Sequence, residues 1–231
     1  MNYQTSHDGL INFQNCPIKY QKFEPTEESF ISQTIKKCVS RIFLKEMELE
    51  RIPNLRSLNT YWGKRLEELR QNGLRLAEVN NITLALRAFY EQYKRISYNG
   101  GLRTMAVWLP VNHVTTDMVY SAKIPIVLAD KNGKIIPVFF TKPRSTIKDN
   151  RVRFASTVLS SKVDLEIVSY FNIKLSVSPA NFTMERYNFN RGELARAESQ
   201  LDSVLSLMGD GYSVPNTDHC TSCEFLNKCR L

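Results

Sequence analysis

The sequence lacks several features that would place it outside the ordinary globular class. No stretch approaches the roughly 18 consecutive apolar residues that a membrane-spanning helix needs. The N-terminal residues 1–8 lack the charged-then-apolar pattern of a secretory signal. Internal repeats, low-complexity stretches and long linkers are also missing. With 231 residues, 42% of them apolar and 23% charged, the chain is expected to form one domain with a substantial core.

Acidic residues are too few to balance the basic ones, and the net charge is +8. Residues 1–100 carry a net +4, residues 101–175 a net +6 and residues 176–231 a net −2. The excess of positive charge in residues 101–175 suits binding to a phosphate backbone, because each neutralised phosphate releases counterions. The alternative is a solvated basic hairpin that only keeps the protein soluble. The candidate phosphate contacts are the seven basic side chains of residues 131–153, namely Lys131, Lys134, Lys142, Arg144, Lys148, Arg151 and Arg153.

Hydrophobic periodicity divides the chain into a helical first part and a mixed second part. Helical spacing predicts helices over residues 27–50, 60–72 and 81–96, and a break follows at Asn99-Gly100-Gly101. Strands are predicted over residues 103–111, 117–129 and 134–141, with a hairpin signal at residues 130–133. Pro137 removes a ladder donor, so it suggests that the third of these strands is an edge strand or carries a bulge.

The remaining pattern predicts a helix over residues 156–171, with a strand as the alternative because of Val168 and Ile173. Short strands are predicted at about residues 173–178 and 182–189. A last helix follows Asn190 as its cap and ends at Gly209. This order of elements predicts a mixed α/β or α+β core with an N-terminal helical insertion.

The cysteines suggest a metal site. Cys220-x2-Cys223-x5-Cys229 gives three thiolates near one another, and a tetrahedral site needs a fourth ligand. Cys16, Cys38 and His219 are candidates for that ligand, although Cys38 lies on an apolar helix face and fits the core better. Disulfides are the alternative. The odd number of five cysteines favours an intracellular, reducing compartment, such as the cytoplasm of a bacterium or of an infected host cell.

A known family shares this pattern of cysteines. F-x-x-C-P-x-x-Y at residues 13–20, followed about 200 residues later by C-x2-C-x5-C, resembles the iron–sulfur branch of the PD-(D/E)XK nucleases. That branch includes RecB-like exonucleases, the CRISPR-associated adaptation nuclease and the AddB subunit of the bacterial helicase–nuclease. The resemblance implies that Cys16, Cys220, Cys223 and Cys229 hold a 4Fe–4S iron–sulfur cluster, with zinc as the alternative.

The resemblance covers essentially the whole chain and implies a restriction-endonuclease-like core. It divides the single domain into an N-terminal cluster arm at 1–26, a helical insertion at 27–100, a nuclease-like core at 101–209 and a C-terminal cluster tail at 210–231.

The family's catalytic signature is not present in this sequence. The chemistry of the family uses two carboxylates and a lysine around Mg²⁺, which prefers oxygen ligands. Pro125 stands where the strand motif G-x-x-D has its aspartate, and Phe140 stands where the second acid precedes the lysine, Lys142. The family's upstream histidine has no counterpart either. We therefore expect no Mg²⁺ at the former active site and interpret Lys142 as vestigial.

The resulting functional prediction is a DNA-binding, catalytically inactive nuclease-like protein in a replication, recombination or repair assembly, with DNA and a protein as partners and no membrane. The first alternative is an active Mg²⁺- or Mn²⁺-dependent exonuclease whose metal ligands have moved to Asp117, Asp130 or Asp149. The second is a structural or protein-docking subunit of a larger complex.

Overall fold

The computed structural model describes residues 3–6, 8–10, 13, 28–141 and 150–210. These residues form a six-stranded mixed sheet with α-helices against both of its faces. The strands are β1 (Tyr3–Ser6), β2 (Arg103–Val114), β3 (Met118–Ala129), β4 (Ile135–Thr141), β5 (Ser169–Lys174) and β6 (Thr183–Asn188). The helices are α1 (Phe30–Leu49), α2 (Leu55–Gln71), α3 (Leu76–Gly100), α4 (Asn150–Val163) and α5 (Glu193–Gly209), with a 3-10 turn at Pro179–Asn181. The mixed α/β class predicted from the sequence is confirmed.

Strand β3 organises the sheet. It pairs antiparallel with β2 on one side. On its other side it pairs parallel with β1 over Met118–Ser121 and antiparallel with β4 over Ile126–Ala129. Strand β4 then pairs parallel with β5 from Val138 onward, and β5 pairs antiparallel with β6. Residues 122–125 of β3 therefore lie at a gap between β1 and β4, which we call the fork.

Helices α1–α3 cover one face of the sheet. Their apolar stripes pack on β3, β4 and β5 residues such as Ile126, Val138 and Ile173. Trp62 of α2 is 1% exposed, and its indole N–H donates a hydrogen bond to the carbonyl oxygen of Cys38 on α1 at 3.0 Å. Burying apolar side chains of this size stabilises the fold by about 1.5–3 kcal/mol each.

Helices α4 and α5 cover the opposite face. Leu201 and Leu205 of α5 are fully buried in a cluster with Tyr120 and Ile124 of β3. Leu10 belongs to the same cluster, as does Phe13 at 6% exposure, so the start of the chain is anchored on this side.

The structure corrects some predicted boundaries. The helix predicted over 156–171 is α4, which ends at Val163, and residues from Ser169 onward form β5, as the strand alternative proposed. Asp164 follows α4 with φ 52°, a left-handed conformation that stops a helix. Helix α2 begins at Leu55 because the Asn54 side chain accepts a hydrogen bond from the backbone N–H of Ser57.

Pro137 does not mark an edge strand, since β4 lies between β3 and β5. It pairs with Val127 of β3, and pairing with β5 begins only at Val138, after the proline. The missing N–H is therefore tolerated on the side where no β5 residue stands opposite it.

Strand β1 was not predicted because four residues are too short to show a period. None of the helices in the described ranges combines the length and apolar character needed to cross a bilayer.

Candidate nucleic-acid interface

The two positions where the resemblance expects acids lie together at the fork. Pro125 immediately precedes Ile126, which pairs with Val138 of β4. Phe140 lies two residues beyond Val138, where β4 has left β3 and pairs with β5. Pro125 is buried and Phe140 is half-buried. The structure thus brings these two sequence positions to one place in the sheet.

Strand β2 reverses its faces at the level of Pro125. Ala106 and Leu109 pack toward α4 and α5, whereas Val107 packs toward α1–α3. Strict alternation would place Val107 and Leu109 on the same face, so the strand turns over between them. The residue between them, Trp108, has φ 57°, a left-handed conformation that costs a non-glycine residue about 1–3 kcal/mol.

Strand β3 reverses in the same place. Ile124 packs toward α4 and α5, whereas Ile126 packs toward α1–α3. The pairs Val107–Ile126 and Leu109–Ile124 set Trp108 opposite Pro125. Proline has no N–H to donate, which fits a position where the ladder of hydrogen bonds is interrupted.

Two aromatic rings meet over this irregularity. The rings of Trp108 and Phe140 have centroids 5.9 Å apart and planes tilted by 50°. Because β2 and β4 flank β3, this contact crosses β3 at the fork. Phe140 also packs against the apolar cluster of α1–α3, which identifies the face of the sheet on which the two rings lie.

A lysine from helix α1 approaches the same rings. The ammonium nitrogen of Lys36 lies 5.9 Å from the Phe140 ring centroid, within cation–π range. It also forms an ion pair with a carboxylate oxygen of Glu28 at 2.7 Å. Aromatic carbon surfaces and a cation thus lie together at the fork.

Of the predicted phosphate contacts, Lys131 and Lys134 lie in the turn between β3 and β4. Both are exposed. The carboxylate of Asp130 accepts hydrogen bonds from the backbone N–H groups of Asn132 at 2.8 Å and Lys134 at 3.0 Å, which confirms the predicted hairpin. This turn lies at the far end of β3 from the fork, at about 3.3 Å per residue some 20 Å from Pro125.

Arg151 and Arg153 lie in the first turn of α4. Arg151 forms an ion pair with Asp8 at 2.7 Å, and Arg153 forms one with Glu193 of α5 at 2.6 Å. These two pairs also tie α4 to the start of the chain and to α5. The four described basic residues therefore occupy two separate places, and Lys142, Arg144 and Lys148 lie outside the described residues.

Cys38 is a core residue, as the helical pattern predicted. Its side chain is 0% exposed, and burial raises the pKa of its thiol to about 12. The four cysteines predicted to bind metal, Cys16, Cys220, Cys223 and Cys229, all lie outside the described residues. Within the described ranges, no group of three or more histidine, cysteine or acidic side chains is arranged to hold a metal ion.

Both described ends of the chain reach the start of β3. The backbone of Tyr3 pairs with Met118. Gly209, at the end of α5, passes so close that an added Cβ atom would lie 3.1 Å from the Cβ of Asp117. Met208 belongs to the same apolar cluster as Phe13.

One part of the surface was not predicted from the sequence. On the face of β1, β2 and β3 beyond the fork, polar side chains lie beside Val114 and Val119, and Gln4 donates a hydrogen bond to the hydroxyl of Ser121 at 2.9 Å. The sequence gives no signal for it, because Val107, Leu109 and Val111 alternate as in an ordinary strand, and only the structure shows the reversal at Trp108.

No family model and no curated protein sequence matches the chain. Among solved structures it is similar to the crystal structure of a "putative exonuclease" from Eubacterium rectale, with a TM-score of 0.53 and 11% identity over 100% of this chain and 89% of that one. A crystal structure of SSO0001 aligns with 87% of this chain and 96% of that one at 11% identity, but its TM-score of 0.32 is too low to indicate a common fold. The first likeness shows the fold alone: the chain has a nuclease-like mixed α/β fold.

Proposed function

We propose that the protein binds DNA with a nuclease-like fold and does not cleave it. The observation that carries the proposal is the occupation of the fork by Pro125, Phe140 and Trp108. A divalent cation such as Mg²⁺ needs oxygen ligands at about 2.0–2.1 Å, and these side chains supply none. The Trp108–Phe140 contact also fills the space with carbon.

The described alternative acids lie far from the fork. Asp117 precedes β3, and Asp130 follows it, so they stand at opposite ends of a twelve-residue strand. At about 3.3 Å per residue, Asp117 is some 26 Å along the strand from Pro125, and Asp130 is some 17 Å from it. The carboxylate of Asp130 is already engaged by two backbone N–H groups of the hairpin turn. This arrangement disfavours an active nuclease with ligands moved to these two positions.

The charge of the protein supplies the binding energy in this proposal. A net charge of +8 attracts a polyanion, and its phosphate contacts should release counterions. A non-cleaving protein of this kind would hold or guide DNA for protein partners in replication, recombination or repair.

The same proposal assigns a 4Fe–4S cluster, or zinc, to Cys16, Cys220, Cys223 and Cys229. Four thiolates suit either metal centre. Phe13 stands three residues before Cys16 and shares an apolar cluster with Met208, so both cysteine-bearing segments start from one region. When bound, the metal centre would cross-link the two ends of the chain.

Visible absorption tests the metal assignment. Anaerobically purified protein should be brown with broad absorption, and Cys220→Ser should remove the colour. Cys38→Ala is the matched control, because Cys38 is a buried core thiol, and it should keep the colour. A colourless, zinc-containing protein would exclude the iron–sulfur cluster.

The function is tested with end-labelled single- and double-stranded DNA in the presence of Mg²⁺ or Mn²⁺. We expect binding that weakens as salt rises, with the DNA left intact. Cleavage that disappears in Lys142→Ala would show an active nuclease. Absence of salt-sensitive binding would favour the structural subunit.

A further inference from the structure

Beyond the fork, no helix among the described residues covers the face of the sheet on which α1–α3 pack elsewhere, and we call this part the open face. Helices α1–α3 pack on β3 only from Ile126 onward. Tyr120 and Ile124 face α4 and α5, so by the alternation of a strand Ser121 and Lys123 face the opposite way. On β2, Val111 faces α4 and α5, so Pro110 and Asn112 also face the opposite way. The open face thus includes the described residues Gln4, Pro110, Asn112, Ser121 and Lys123, together with Val114 and Val119, which pair with each other.

Polar and charged side chains lie on the part of this surface nearest the fork, and Val114 and Val119 lie at its far end. Gln4, Pro110, Asn112 and Lys123 are exposed, and the register sets Pro110 beside Lys123 and Asn112 beside Ser121. Lys123 is the charged residue among these seven, and none of the seven is acidic. A positively charged, hydrogen-bonding surface complements a phosphate backbone and its sugars and bases.

Trp108 borders the open face on the side of the fork. It precedes Pro110 by two residues on β2, and the residue is 38% exposed although its indole contacts Phe140. Its left-handed backbone, with φ 57°, keeps a large aromatic side chain at a position that strongly favours glycine. Strain of this kind persists where the surrounding structure holds it, and such outliers cluster at ligand-binding sites.

We propose that single-stranded nucleic acid lies across the open face, with one base stacked on the indole of Trp108 and a neighbouring phosphate near Lys123. The inference rests on the proposed nucleic-acid binding and specifies its substrate class. In a duplex each base is already stacked and paired, so its face is closed to a protein side chain. An unpaired base offers a π face, and stacking on an aromatic residue is tolerant of sequence.

The chain contains a natural reporter for this contact. It has two tryptophans, and Trp62 is 1% exposed and hydrogen-bonded inside the helical layer. Quenching of tryptophan emission by a bound oligonucleotide therefore reports on Trp108. Oligo(dT) is the probe, and an abasic oligomer of equal length presents the phosphates without the bases. A duplex of equal length completes the set.

We expect oligo(dT) to quench the emission, and the abasic oligomer and the duplex to leave it nearly unchanged. Trp108→Ala should weaken oligo(dT) binding about tenfold, measured by fluorescence anisotropy of labelled DNA. Trp108→Phe should restore most of the affinity, because it returns an aromatic face. The matched control is Tyr98→Ala, which removes an aromatic side chain that is 87% exposed on α3 and should not change affinity.

Three outcomes separate this inference from the function on which it rests. Salt-sensitive binding with quenching and a specific loss in Trp108→Ala supports both. The stacking inference is overturned, and DNA binding still stands, if binding is salt-sensitive but causes no quenching. In that case the protein binds oligo(dT) and the abasic oligomer equally well, and Trp108→Ala binds oligo(dT) as tightly as the unaltered protein. If no oligonucleotide binds at low salt, the proposed function fails and the inference fails with it. The quenching experiment uses the unaltered protein, so it does not depend on the folding of a variant.

Discussion

The indole of Trp108 and the phenyl ring of Phe140 meet across strand β3, with centroids 5.9 Å apart, above a proline. Each ring comes from a strand that flanks β3, and the contact lies at the level of the fork, where β1 and β4 leave a gap. Pro125 and Phe140, at the two positions where the resemblance implies acids, thus lie at an aromatic contact.

Phe140→Ala should destabilise the protein by about 1–3 kcal/mol, because it removes a half-buried ring from the edge of the helical core together with its contacts to Trp108 and Lys36. Urea denaturation measures the loss, and the emission of Trp108 should shift to longer wavelength. Phe30→Ala is the control, since Phe30 is 45% exposed on α1 and should cost little. Equal effects of the two variants would contradict a packed fork.

Glu46 makes the stability depend on pH. It is 5% exposed on α1, and the hydroxyls of Tyr93 and Thr104 donate hydrogen bonds to its carboxylate. Burial raises its pKa above the usual 4.5, so the folded state holds the proton more tightly than the unfolded state. The free energy of unfolding contributed by this group is therefore complete below pH 4.5 and decreases as pH rises through the raised pKa.

Glu46→Gln should flatten that dependence, because glutamine keeps an oxygen acceptor and carries no charge. Urea denaturation between pH 4.5 and 7.5 measures it. Glu48→Gln, on the same helix, is the control: the hydrogen bond from Lys45 lowers the pKa of Glu48, so this carboxyl titrates below the measured range and its replacement should leave the pH dependence unchanged. A Glu46→Gln protein with the wild-type pH dependence would refute the assignment.

Cys38 should resist alkylation in the folded protein. Burial raises its thiol pKa to about 12, so little thiolate forms at neutral pH, and the side chain is inaccessible. Mass spectrometry after iodoacetamide treatment should find Cys38 unmodified in native protein and modified in urea. Cys38→Ser should reduce the free energy of unfolding by about 1–3 kcal/mol, because it buries a hydroxyl. Cys38→Ala should change the free energy of unfolding by less. Rapid native alkylation would contradict this placement.

The described basic residues should divide into two classes. Lys131→Glu with Lys134→Glu should leave the melting temperature unchanged and reduce the slope of log affinity for duplex DNA against log salt by about 0.9 for each lost phosphate contact. Arg153→Glu should lower the melting temperature, because it breaks the 2.6 Å ion pair with Glu193 and sets two acids together. Lys64→Glu with Lys94→Glu, at exposed positions on α2 and α3, is the charge-matched control. If the salt slope is unchanged in the Lys131/Lys134 variant, the hairpin does not contact the DNA.

The fold class was accessible from the sequence because most elements are long and strongly periodic. The helical layer, the hairpin at Asp130 and the core position of Cys38 all follow from spacing and turn chemistry. The boundary between α4 and β5 was harder, since Val168 and Ile173 fit either a helix or a strand. Only the surrounding sheet decides between them.

The geometry of the fork could be predicted from the sequence only in part. The sequence showed that Pro125 and Phe140 lack carboxylates, but ring contacts depend on which strands are neighbours. Trp108 lies on another strand, and its left-handed backbone is not encoded by residue type, since tryptophan rarely adopts it. The basic run of residues 131–153 looked like one patch in the sequence. The sheet places its described members at the hairpin turn and at the start of α4.

The most direct test is electrophoresis of end-labelled single-stranded DNA after incubation with the protein and Mn²⁺, run in parallel under native and denaturing conditions. We predict a salt-sensitive shift on the native gel and a full-length strand on the denaturing gel. Shortened strands that require both Mn²⁺ and Lys142 would contradict a non-cleaving function, and would mean that a catalytic metal binds despite the aromatic contact at the fork.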